Sequence, residues 1–112
     1  MINIFDMMGP VMVGPSSSHT AGAVRIGLMG RRLLGRTPKR AEILLHGSFA
    51  LTGHGHGTYR ALVAGLLGMA PDDARIPDSF RCAREVGMDF TFGTVNLRGA
   101  HPNTALLKLD DG

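Results

Sequence analysis

The spacing of apolar residues changes along this chain, and each change marks an expected element. From about His19 to Leu34 the apolar positions recur with helical spacing. Ala21, Val24 and Leu28 fall on one face; Ala23, Gly27, Gly30 and Leu34 fall on another. Gly22, Gly27 and Gly30 each cost about 1 kcal/mol relative to Ala in a helix interior. Three of them in one helix predict close packing against a second backbone. Gly35 suits a helix end, and Pro38 forbids continuation. Arg40 to His46 alternates and then turns wholly apolar, which predicts a strand that could continue through Ser48–Leu51 after a bend at Gly47. Tyr59, Leu62, Val63, Leu66 and Leu67 surround a second helix over Thr58–Leu67, buried on most sides and ended by Gly68. A third helix is expected from Pro77 to Val86, closed by Gly87. Strands are expected over Met88–Leu97 and Thr104–Leu109, with Asp110-Asp111-Gly112 as a turn. At the start, residues 1–8 read as a turn or short strand broken at Met7-Met8-Gly9-Pro10. The sum is an α+β domain over residues 1–112: a small mixed or antiparallel sheet packed with two to three helices, cut short at its C-terminus.

Length and composition narrow the classes. A chain of 112 residues suits one small domain. No apolar run approaches the roughly 20 residues that span a bilayer, and the first residues lack a signal peptide's basic start and apolar core. A cytoplasmic protein with no membrane partner is the expectation. Cys82 is the single cysteine, so a metal or cluster site built from several cysteines of this chain is excluded. Net charge is +3, but the basic residues form no long block. With five Phe, one Tyr and no Trp, a base-stacking surface is hard to build. Nucleic acid is not an expected partner.

Glycine is the outlier, at 16 residues concentrated around Gly9–Gly22 and Gly47–Gly57. All five histidines lie in or beside such segments or at the ends of expected elements: His19, His46, His54, His56 and His101. The richest stretch is Gly14-Pro15-Ser16-Ser17-Ser18-His19-Thr20, read as a loop opening the first helix. Ser and Thr oxygens accept the orphan N–H groups of a first turn, and a helix N-terminus favours anions. The hydroxyls could fix a carboxylate or phosphate, with His19 moving a proton beside it. Equally, Ser16–Ser18 could only cap the helix, with His19 solvated. The Thr52–Thr58 segment reads as a second glycine-rich loop. Its His54 and His56 could join His19 or His101 around a metal, but no HExxH pattern or clear carboxylate partner accompanies them. A serine hydrolase lacks its GxSxG elbow, and a nucleotide site its GxxxxGK[ST] loop.

Three segments together resemble a known family. Gly14-Pro15-Ser16-Ser17-Ser18-His19-Thr20-Ala21-Gly22, the run His46-Gly47-Ser48-Phe49-Ala50-Leu51-Thr52-Gly53-His54-Gly55-His56-Gly57-Thr58, and His101-Pro102-Asn103-Thr104 are similar to the β domain of iron–sulfur-dependent L-serine dehydratase (L-serine ammonia-lyase, L-serine deaminase). The resemblance runs from Phe5-Asp6 to the C-terminus. It implies conversion of L-serine to pyruvate and ammonia with a [4Fe–4S] cluster held by an α domain or subunit, not by this chain. The cluster's open iron would act as a Lewis acid on the substrate hydroxyl. It also implies a fold similar to the allosteric substrate-binding domain of some phosphoglycerate dehydrogenases. His19 and His56 would be the catalytic candidates for proton transfer. Ser16, Ser17, Ser18 and Thr20 would hold the substrate carboxylate, with Asn103 in the same pocket. No metal is assigned to this chain. Ala23 stands where the family commonly has Pro, and Tyr59 where it commonly has Asp. The expected partners are the cluster-bearing α domain, L-serine and further copies of this chain, and the polypeptide alone is expected to be inactive. A non-catalytic module of the same fold, binding a small anion or amino acid, is the alternative.

Overall fold

A computed structural model describes the backbone of residues 4–10, 16–46, 56–95 and 104–111, and within these the side chains of 21–45, 57–94 and 105–111. The order is β1 (Ile4–Pro10), α1 (Ser16–Leu34), β2 (Arg40–His46), α2 (His56–Leu66), a 3-10 turn (Ile76–Asp78), α3 (Ser79–Val86), β3 (Asp89–Val95) and β4 (Thr104–Asp110). The expected α+β class holds: among the described residues three helices accompany a mixed four-stranded sheet of order β1-β4-β2-β3. β4 runs antiparallel to both β1 and β2, while β2 and β3 are parallel. β1, β2 and β3 therefore share one direction, and β4 is inserted between β1 and β2 against it.

Period-two alternation decides which face is buried. Ala41, Ile43 and Leu45 of β2 and Ala105, Leu107 and Leu109 of β4 are buried, whereas Arg40, Glu42 and Lys108 between them are exposed. On β3, Phe90 and Phe92 lie on the buried side, where Phe80 of α3 stacks at 5.1 and 5.2 Å from their ring centroids. The helices thus cover one face of the sheet. On the other, half-buried Leu44 and Leu106 stand directly opposite each other.

The glycine-rich helix packs as its composition predicts. A Cβ on Gly27 would overlap the Leu62 carbonyl oxygen and lie 2.9 Å from Gly65 Cα; one on Gly65 would overlap the Val24 carbonyl oxygen. α1 and α2 therefore meet backbone to backbone, with Ala23, Val24, Leu62, Leu66 and their neighbours buried around the crossing. α2 and α3 end alike. Met69 N–H bonds to the Ala64 carbonyl and Met88 N–H to the Ala83 carbonyl, around glycines at φ 90° and 83°. Each is a Schellman closure whose following methionine is buried, the hydrophobic contact that accompanies this motif. Ser79, fully buried, donates its hydroxyl to the Arg60 carbonyl at 2.8 Å and ties α3 to α2.

Three boundaries differ from expectation. β1 continues through Gly9-Pro10 instead of breaking at Met7–Pro10. Among the described residues it is an edge strand, and an edge tolerates proline because one side of the strand needs no ladder donor. α1 begins at Ser16, so Ser16–Ser18 form its first turn and not a preceding loop. A first turn has orphan N–H groups in any case, and the proline just before it is compatible with a helix start. α2 begins at His56, inside the expected loop, because burial of Ala61–Ala64 and Leu66 outweighs the low helix propensity of Gly57. The suggested continuation at Ser48–Leu51 lies outside the described residues.

Candidate active site

The topology decides where the chemistry-bearing segments go. Because β1 and β2 point the same way, α1 must carry the chain back across the sheet, so its first residue lies at the strands' carboxyl end. α2 and α3 likewise return the chain from β2 to parallel β3, and α2 starts at that same end. The register confirms a common edge: Pro10 pairs with Thr104 and His46 with Val95. Ser16, Ser17, Ser18, His19 and Thr20, in the first turns of α1, and His56, first residue of α2, are thus gathered at one end with His46 and Thr104. In sheets of this kind, ligands bind outside the carboxyl ends of the parallel strands. Two helix N-termini directed to one place also bring two sets of unpaired N–H donors and two partial positive charges. Asn103, His101 and His54 lie outside the described residues, and Asn103 immediately precedes Thr104.

Thr58 was missed by the sequence reading. It is buried, in the first turn of α2 two residues after His56, and its hydroxyl has no hydrogen-bond partner among the described residues. A buried hydroxyl without a partner costs about 1–3 kcal/mol, which makes Thr58 a further candidate for the site. The available signal was its place: the one polar residue with a short side chain at the start of a helix that is otherwise apolar on nearly every side. Next to it, Tyr59 donates its hydroxyl to the Gly93 carbonyl at 3.1 Å and packs on Phe92 with ring centroids 4.2 Å apart. Burial raises the Tyr59 phenol above its ordinary pKa.

The opposite end of the sheet is different. Cys82, half-buried on α3, lines a cavity of about 300 Å³ with Thr37, Lys39, Met69 and Arg75. A second cavity, of about 320 Å³, lies among Arg40, Glu42, Asp89 and Lys108. Both belong to the amino ends of β2 and β3, so the single thiol is remote from the gathered serines and histidines. Among the described residues, no group of three or more His, Cys, Asp or Glu could hold a metal ion.

Residues 3–105 match the family described as serine dehydratase beta chain. This chain belongs to that family. The L-serine dehydratase beta chain of Peptoniphilus asaccharolyticus is 52% identical over 101 residues, which is 89% of this chain and 46% of that protein. The probable L-serine dehydratase beta chain of Bacillus subtilis is 47% identical over 109 residues, 97% of this chain and 50% of that one. An L-serine dehydratase of Streptomyces coelicolor is 35% identical over 109 residues, 89% of this chain and 22% of that protein. The chain spans about half the length of the two beta chains it matches. No solved structure matches it. Within the serine dehydratase beta chain family, the α+β fold described above places the Ser16–Thr20 segment and His56 on two helix starts at one sheet end.

Proposed function

We propose that this chain is the β part of an L-serine dehydratase and works in the cytoplasm with an α domain or subunit that holds a [4Fe–4S] cluster. The observation that supports it most directly is the 52% identity to an L-serine dehydratase beta chain over 101 residues. The residues described here do not form a ligand set for the cluster: one cysteine in the whole chain, and no metal-holding group among the described residues. In this reading the partner holds the cluster, and the part of this chain is binding and proton transfer. Deamination of serine removes a proton from Cα and the hydroxyl from Cβ. The resulting aminoacrylate tautomerises to an imine that water hydrolyses to pyruvate and ammonia. The two helix N-termini, with Ser16, Ser17, Ser18 and Thr20, bind the substrate carboxylate. His19 or His56 takes the Cα proton, a role suited to imidazole near neutral pH. Thr58 supplies a hydroxyl beside His56, and Asn103 joins the pocket from the start of β4.

The test is anaerobic assembly of this chain with its cluster-bearing partner, followed by measurement of pyruvate formed from L-serine. His19→Ala and His56→Ala are each expected to fold and to assemble. Whichever removes the base should lower kcat by about a hundredfold or more. An assembled, cluster-loaded complex that makes no pyruvate would overturn the reading. Binding of small carboxylates by this chain alone, in that case, would identify it as a non-catalytic module.

A further inference from the structure

We infer that Tyr59 is a positioning residue for the first turn of α2, its hydroxyl bond to the Gly93 carbonyl fixing His56 and Thr58 at the site end of the sheet. The inference rests on the serine dehydratase reading for its catalytic consequence, though not for its geometry. α2 is held in three places. From Leu62 to Leu66 it is locked against α1, where the backbones touch. Its first turn, which carries His56 and Thr58, begins six residues before that lock, about 9 Å along the axis. At such a distance a small rotation about the lock displaces the first turn most. Ser79 restrains the Arg60 carbonyl, but it ties α2 to α3 and not to the sheet.

Among the described residues, the Tyr59 hydroxyl is the polar link between this turn and the sheet. It reaches Gly93 at 3.1 Å, two residues before the carboxyl end of β3. Among the described residues β3 is an edge strand, and Tyr59 supplies the Gly93 carbonyl with a donor from outside the strand's own ladder. The ring on Phe92 provides contact area but little directional restraint, since stacked rings can slide. The hydroxyl provides direction. Its loss should leave α2 folded while its first turn samples more orientations, displacing both His56 and the α2 N-terminus that faces the substrate carboxylate.

Tyr59→Phe keeps the ring and deletes only the hydrogen bond. In the complex assembled with the cluster-bearing partner, kcat is expected to fall about fivefold or more, the factor one net hydrogen bond represents. KM for L-serine should rise as well, because the same turn supplies N–H donors to the substrate carboxylate. In this chain alone, amide exchange over residues 57–63 should accelerate while that over 79–86 does not. Phe80→Leu is the control: it loosens the Phe80–Phe90–Phe92 cluster but leaves the Tyr59 bond, so it should lower stability and spare kcat. Unchanged exchange over 57–63 in Tyr59→Phe overturns the inference. Faster exchange with kcat and KM both unchanged overturns it too, leaving Tyr59 a stabilising residue only. If the unsubstituted complex makes no pyruvate, the dehydratase reading fails, and the exchange measurement still decides whether Tyr59 holds the turn.

Discussion

Replacing Gly27 by Ala tests the packing on which the site's geometry depends. Alanine is ordinarily the better helix residue by about 1 kcal/mol. Here the new methyl would overlap the Leu62 carbonyl oxygen and lie 2.9 Å from both Gly65 Cα and Leu66 N. These are backbone atoms, so no side-chain rotation relieves the clash. Ordinary carbon contacts sit at about 3.5–4.0 Å, so the helices must part by about 1 Å along a crossing that is buried throughout. Overpacking of this kind costs typically about 1–3 kcal/mol, and a backbone obstruction belongs at or above the upper end. Subtracting the propensity gain leaves a net loss of about 2 kcal/mol or more. Urea unfolding followed by circular dichroism should show it as a midpoint lowered by about 1 M, with little change in slope. Gly57→Ala, where an added Cβ meets nothing within 4 Å, should lose nothing and could gain up to about 1 kcal/mol. Because one separation of the helices accommodates both methyls, the Gly27→Ala/Gly65→Ala double variant should cost less than the sum of the single ones. A Gly27→Ala midpoint at or above that of the unsubstituted chain would refute the packing argument.

Two further outcomes are expected. Thr58→Val removes a buried hydroxyl that has no partner among the described residues, so in the isolated chain it should raise stability by about 1 kcal/mol. The same change should lower pyruvate formation in the assembled complex; loss of stability instead would show that the hydroxyl is already bonded. Tyr59 is the only tyrosine and there is no tryptophan, so its ionisation can be followed alone by phenolate absorbance. Burial raises its folded pKa above 10.0. The stabilisation is then complete below the unfolded value and is lost as pH rises through the folded one. In urea the transition should return to about 10; an unshifted folded transition contradicts the burial.

Much of this was legible in the sequence, for identifiable reasons. The ends of α1, α2 and α3 were marked by Gly35, Gly68 and Gly87, whose left-handed backbone is a local preference. The α1–α2 contact was foreshadowed because three helix glycines need a tertiary reason, and Gly27 has one. Helix starts were less legible. Serine, histidine and glycine have weak helix propensity, and what draws Ser16 and His56 into helices is burial further along the same segments. The site segments Ser16–Thr20 and His56 could be named from their residue types. Their gathering at one sheet end could not, because it follows from β1, β2 and β3 running in one direction, and strand direction leaves no trace in local pattern. Thr58 escaped because a hydroxyl is informative only once it is known to be buried without a partner.

The place of β4 has a consequence for how the chain is made. It is the last described strand to leave the ribosome, yet it sits second in the sheet and, among the described residues, is the neighbour of β1. Ile4 finds its partner only at Asp110. During synthesis β1 therefore waits without its β4 partner while α1, β2, α2, α3 and β3 can already associate around the Gly27–Gly65 crossing. Closure of so distant a pair is entropically slow, and an unpaired strand in the interval invites pairing with another nascent chain. Native assembly of this fold thus depends on its final described strand arriving in the gap between the first and second before anything else occupies it.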